Sequence, residues 1–205
     1  MTEVIPLRLG TVNAYLLRGE DGSVLVDAGG PGAEARLESG LRQAGVQPAQ
    51  LRLLLLTHGH FDHAGAAAYF QRLGVPVALH SADAGAMRPM TGKGLMGKLL
   101  LAVSGKLGDN SGLPAAVKLE SLQSLETYGV EAAIVPLPGH TAGSVGVLLP
   151  DGALIAGDTF MNFVRPGPAH IAEDFAQMLA SIDTLRGRGV TQVYPGHGKP
   201  FAPAF

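Results

Sequence analysis

The sequence predicts an α/β fold. Three observations predict it. Short apolar runs bounded by glycine and proline recur along the chain. Segments with apolar residues at helical spacing fall between several of them. The composition, 46% hydrophobic and 16% charged, is that of a chain that buries a core and not of a disordered one. With 205 residues there is material for one domain spanning 1–205.

Taken in order, residues 4–9, 12–17 and 23–26 read as three strands, turning at Gly10-Thr11 and Glu20-Asp21-Gly22. The third ends at Asp27-Ala28-Gly29-Gly30. Pro31 suits the first turn of a helix over about 32–44, with Leu37, Leu41 and Ala44 on one face. Residues 51–56 are a short apolar run before a glycine-containing loop, and so a buried strand. A helix carrying Ala66, Ala67, Phe70 and Leu73 follows, then a strand at 75–79. The stretch 81–129 breaks the alternation and reads as an insertion, rich in methionine and glycine. Within it Leu95, Met96, Leu99, Leu100 and Val103 fall at helical spacing. This stripe is expected to pack on the body. Its functional reading is a lid, and it is too short to favour a membrane-surface helix. Strands resume at 132–136, 144–149 and 153–156, followed by a helix near 172–186 and a last strand at 190–194.

The totals exclude several classes. A formal net charge of −2 gives no electrostatic case for nucleic acid or an acidic membrane. Without cysteine there are no disulfides, thiolate metal sites or cysteine nucleophile. No signal-like segment opens the chain and no run reaches the roughly 20 apolar residues that span a bilayer. A soluble cytoplasmic protein acting on a small-molecule substrate is the expectation. The 81–129 insertion offers apolar surface for a homodimer.

The chemistry concentrates in Thr57-His58-Gly59-His60-Phe61-Asp62-His63. Imidazole and carboxylate are the ligands of zinc, iron and manganese. Four such groups this close do not all reach one ion, which leaves two readings: a cluster of ions, or one ion with spare ligands. Further polar residues follow apolar runs beside glycine: Asp27, His140, Asp158 and His197. Loops at strand ends on a rigid scaffold can aim such groups at one point. A purely structural zinc site closes with four ligands, and this set is larger. His80 matches no ligand position and reads as an ordinary loop histidine. His170 and Arg165, after Asp158, are candidates for substrate contact, with a solvated surface position as the plainer reading for each.

The set His58, His60, Asp62, His63, then His140 in Gly-His-Thr-Ala-Gly-Ser, Asp158 in Gly-Asp-Thr and His197 in Pro-Gly-His-Gly resembles the metallo-β-lactamase-fold hydrolases, over residues 4–198. The resemblance implies an αβ/βα four-layer sandwich with metals at one edge. It implies two divalent ions, zinc first, with iron or manganese possible by ligand chemistry. His58, His60 and His140 would hold the first ion, Asp62, His63 and His197 the second, and Asp158 would bridge them. The nucleophile would be a hydroxide shared by the ions. Asp27 would steady the histidine loop from behind, with Thr57, Thr141 and Ser144 helping through their hydroxyls.

Within that family the bridging Asp158 resembles the glyoxalase II-like thioesterases, lactonases and phosphodiesterases. Phe160-Met161-Asn162-Phe163-Val164-Arg165 lacks the Gly-Arg-Thr/Ser-Asp run of glutathione thioesterases, so glutathione itself is not implied. No free acid stands near the motifs to protonate a poor leaving group; Asp62, itself a ligand, is the nearest. Thiolates and lactone alkoxides need such an acid least. The expected reaction is therefore hydrolysis of a small thioester, lactone or related ester. The alternatives are β-lactamase or phosphodiesterase activity on the same metals, or a mononuclear iron oxygenase resembling the persulfide dioxygenases, using His58, His140 and Asp158. A third class is a metal-binding module without catalysis.

Overall fold

The computed structural model describes residues 1–85, 88–104, 117–119 and 123–204. In chain order the elements are β1 (Glu3–Arg8), β2 (Asn13–Arg18), β3 (Ser23–Val26), α1 (Glu34–Gln43), β4 (Leu53–Leu55), α2 (Phe61–Ala64), α3 (Ala67–Arg72), β5 (Val77–Leu79) and β6 (Thr91–Gly92). They continue with α4 (Gly94–Ser104), β7 (Val117–Lys118), β8 (Ala133–Pro136), β9 (Val145–Leu148), β10 (Ala153–Asn162), β11 (Gly167–Pro168), β12 (Ile171–Ala172), α5 (Phe175–Asp183) and β13 (Gln192–Gly198). A six-stranded sheet runs β1-β2-β3-β4-β5-β7. A five-stranded sheet runs β11-β10-β9-β8, with β13 pairing β10 in parallel, and β12 pairs β6 in a small third sheet.

Side-chain alternation along the strands builds the layers. Leu16, Leu25 and Leu54 point to one face of the first sheet and pack with Leu37 and Leu41 of α1 and Phe70 of α3. Their neighbours Tyr15, Leu17, Val24, Val26, Leu53 and Leu55 point to the other face, against Val145, Val147 and Ile155 of the second sheet. That sheet's far face, with Val135 and Leu154, packs on Met178 and Ile182 of α5. Three apolar layers between helix, sheet, sheet and helix make the predicted αβ/βα sandwich.

Several boundaries differ from the sequence reading. Helix α1 starts after Pro31, not at it, because Gly32 sits at φ 86°, outside helical backbone. The helix expected over 172–186 is shorter. Ala172 belongs to β12, and the Asp174 side chain caps α5 by accepting from Gln177 N at 2.9 Å. Strand β10 does not stop at Ala156. It bulges at Gly157 and runs to Asn162, so Asp158 lies within the strand. Likewise β13 carries His197 inside its span.

The stretch 81–129 is tied to the body where it is described. Val117–Lys118 extends the first sheet beside β5, and Thr91–Gly92 pairs β12. Helix α4 forms as expected but packs differently. Its contact is made by Gly97, where an added Cβ would stand 2.3 Å from His170 O, and by half-buried Leu100. Leu95, Met96 and Leu99 remain exposed. Val103 falls among side chains outside the described set. No helix among the described residues is long and apolar enough to cross a membrane.

Candidate metal centre

All seven expected ligands converge. Their donor atoms form three groups, His58-His60-His140, His58-His63-Asp158 and Asp62-His63-His197, each within 4.8 Å. The end of β4 delivers Thr57 and His58, and α2 carries Asp62 and His63 on its first turn. His140 sits in the turn between β8 and β9. Asp158 Oδ1 lies 3.3 Å from His63 Nε2, and its Oδ2 lies 3.7 Å from His140 Nε2 and 3.2 Å from His197 Nε2. One carboxylate therefore reaches toward both outer triads.

The outward nitrogens of the imidazoles are committed to the protein. His63 Nδ1 meets Asp27 Oδ2 at 2.8 Å, His140 Nδ1 meets Ile171 O at 2.9 Å, and His197 Nδ1 meets Thr11 O at 2.8 Å. His58 Nδ1 meets Thr57 Oγ1 at 3.0 Å. Each partner engages the outer nitrogen and turns Nε2 inward. His60 faces His140 Nε2 with its Nδ1, at 3.0 Å. Buried polar atoms are normally paired. Yet His58 Nε2, His63 Nε2 and Asp158 Oδ1 have no hydrogen-bond partner. Three orphaned donors inside one N/O cluster are what divalent cations satisfy, so the residues fit a two-ion group.

Charge divides the centre. Burial, aided by neighbouring imidazoles, pushes His58 well below the ordinary imidazole value. Burial takes His60 down to about 3 and lowers His140 as well. Burial also opposes charge on His63, but Asp158, Asp27 and Asp62 outweigh it and hold that imidazole well above its ordinary value. Asp158 and Asp62 likewise overcome burial at His197 and raise it to about 10. Despite burial, His63 and His197 keep Asp62 low, and Asp158 lies well below the carboxylate range beside the same pair. The first triad is thus neutral and ready to donate lone pairs. The second keeps protons until a cation replaces them.

The expected supporting residues take their places. Asp27 accepts from Thr57 N at 2.8 Å and from Thr57 Oγ1, joining β3 to the histidine loop. Its φ of 63° is the one positive value on a non-glycine among the described residues, a conformation aspartate tolerates better than most. Thr141 and Ser144 bond to each other and brace the His140 turn. His80 reads as foreseen, accepting from Ala82 N within its own loop. Arg165 is exposed. His170 lines a separate cavity of about 410 Å³ between α4 and α5 and belongs to none of the ligand groups. Neither joins the centre.

Two residues escaped the sequence reading. Asp83 is buried and accepts from Gly59 N at 3.0 Å, Gly143 N at 2.8 Å and Thr141 Oγ1 at 2.6 Å. It staples the loop of His58 and His60 to the turn of His140. Glu173 accepts from Ala142 N at 2.8 Å on the other side of that turn. The only signal in the sequence was an aspartate shortly after the 75–79 strand.

Fold and donor set together define a metallo-hydrolase architecture. The chain belongs to the metallo-β-lactamase superfamily, whose profile matches residues 7–197. It is 33% identical to a hydroxyacylglutathione hydrolase of Anaeromyxobacter dehalogenans over 190 residues, 89% of this chain and 60% of that protein. The chain thus spans less than two thirds of that relative. A metallo-β-lactamase family protein of Thermus thermophilus superposes with a TM-score of 0.73 at 26% identity, over 98% of this chain and 74% of the other. TTHA1623, crystallised in a di-iron-bound form, gives 0.66 at 26% identity, over 97% and 94%.

Proposed function

We propose that the protein is a binuclear metal-dependent hydrolase of a small thioester, lactone or related ester. The observation that carries the reading is the pair of outer triads joined through Asp158, with orphaned buried donors turned inward. His58, His60 and His140 would hold one ion, Asp62, His63 and His197 the other, and Asp158 would face both. Bound ions of this kind supply an activated water at neutral pH and an electrophile for the acyl oxygen. Zinc, iron and manganese all suit these ligands, and the di-iron form of TTHA1623 makes iron as reasonable a cargo as zinc.

The chain's own residues do the rest. Asp27, Ile171 O and Thr11 O hold the rings so that each Nε2 faces the centre. The centre opens on the side of Asp62 and His197, whose side chains are 26% and 12% exposed, against 0% for His63 and 6% for Asp158. Substrate and water therefore enter there. Asp62, ionised and reaching solvent, is fitted to accept a hydrogen bond from water entering the site. The rest of the centre is buried, which strengthens electrostatic contacts made within it.

The test is a panel of thioesters, lactones, β-lactams and phosphodiesters offered to the metal-loaded chain. Thioester or lactone hydrolysis abolished by chelation is the expected result. Turnover of phosphodiesters or β-lactams alone overturns the acyl assignment.

A further inference from the structure

Beside the open edge of the centre lies a cleft of about 450 Å³, lined by Arg8, Gly10, Thr11, Asn13, Asn162, Phe163, Val164, Gly198 and Lys199. It adjoins His197 directly. Gly198 follows that ligand, Thr11 O holds its Nδ1, and the half-exposed Phe163 ring lies 5.4 Å from its ring, tilted by 36°. The lining contains two cations and no acidic residue. Arg36 adds a third positive group at the rim, its guanidinium near Gly10. Both asparagine side chains here are occupied: Asn13 donates to Pro195 O and Gly198 O, and Asn162 to Lys199 O. Arg8 and Lys199 have no ion-pair partner among the described residues, although Arg18, on the same strand pair, is held by Glu3.

We propose that this cleft binds a carboxylate on the substrate, so that the scissile acyl group reaches the centre from an acid-bearing thioester or ester. The assignment rests on the acyl-hydrolase reading. Guanidinium and ammonium groups bind carboxylates by charge-assisted hydrogen bonds. Phe163 and Val164 provide an apolar wall for the short chain linking carboxylate to acyl group.

Two measurements test it on the metal-loaded chain. The first compares kcat/KM for the thioester 3-(acetylthio)propionate and for its methyl ester at the carboxyl end. A preference of about tenfold for the acid, carried by KM and eroded by salt, is expected. It should fall to near one in the double variant Arg8→Ala, Lys199→Ala. A variant that merely folds less well lowers both rates and leaves the ratio intact. The second measures binding of 3-(butylthio)propionate, a thioether that cannot be hydrolysed, against its amide, in both proteins. Thioester hydrolysis without charge preference sinks the cleft and spares the hydrolase. No thioester hydrolysis, with tighter acid binding that Arg8 and Lys199 control, sinks the hydrolase and keeps the cleft. Equal binding of acid and amide overturns the proposal whatever the activity.

Discussion

Asp83 shows how much of a metal site sits behind its ligands. Three donors from two loops end on one buried carboxylate. Asp83→Ala strands two backbone N–H groups, at about 1–3 kcal/mol each, and loosens the seat of the His58-His60-His140 triad. A thermal melt should drop clearly, and zinc affinity by chelator competition should fall about 10–100-fold; wild-type affinity would remove Asp83 from the support of the centre. The pKa directions give a second expectation for metal-stripped protein. His58, His60 and His140 are lowered, so below about pH 6.5 the unfolded chain takes up protons that the folded chain refuses, and stability falls as pH falls. His63 and His197 are raised, so their contribution is full below about 6.5 and is lost as pH climbs through about 10 at His197. Stripped protein should therefore melt highest near pH 6.5, and the gap to loaded protein should widen from pH 7 to 9 as ions displace those protons. Melts across pH 5.5–9 check this; a stripped protein that gains stability from pH 7 to 9 contradicts it.

At the level of elements, β10 and β13 decide the geometry between the triads. Gly196 of β13 packs tightly against Asp158 of β10: a Cβ there would lie 2.1 Å from Asp158 Oδ1 and 2.7 Å from His63 Cε1. Gly196→Ala should push Asp158 aside, cutting turnover by about 100-fold and lowering metal content, measured by kinetics beside elemental analysis. Full activity would mean that the carboxylate has room to move. These strands also mark the limit of what was legible beforehand. The ligand motif and the strand and helix types could be read, because metal-type residues are rare at such spacing and apolar periodicity is a local property. The reach of β10 through Gly157 and of β13 through Pro195-Gly196 could not, since both residues oppose strand locally and are held by pairing with each other. Asp83 was invisible for a related reason: its partners lie up to 60 residues away. The α4 stripe misled because close packing there is made through Gly97, where a missing side chain lets backbones touch.

For the molecule as a whole, ions held at the proposed centre would add to the stability of the fold. They would join residues from α2, the His140 turn, β10 and β13. Protein purified without added metal should carry close to two ions per chain. Chelation should lower the melting temperature by on the order of 10 °C for each ion held at about 1,000 times its dissociation constant. A single ion per chain would contradict the paired arrangement. The second strand and the last are sewn together as well. Tyr15 OH donates to Pro195 O at 2.6 Å, Asn13 grips both sides of Gly196-His197, and Val12 bridges to His197, partners some 182 residues apart. Closing so long a loop is slow. During refolding the three-histidine pocket can therefore gather before His197 arrives, and an early species would capture one cation and wait for the second.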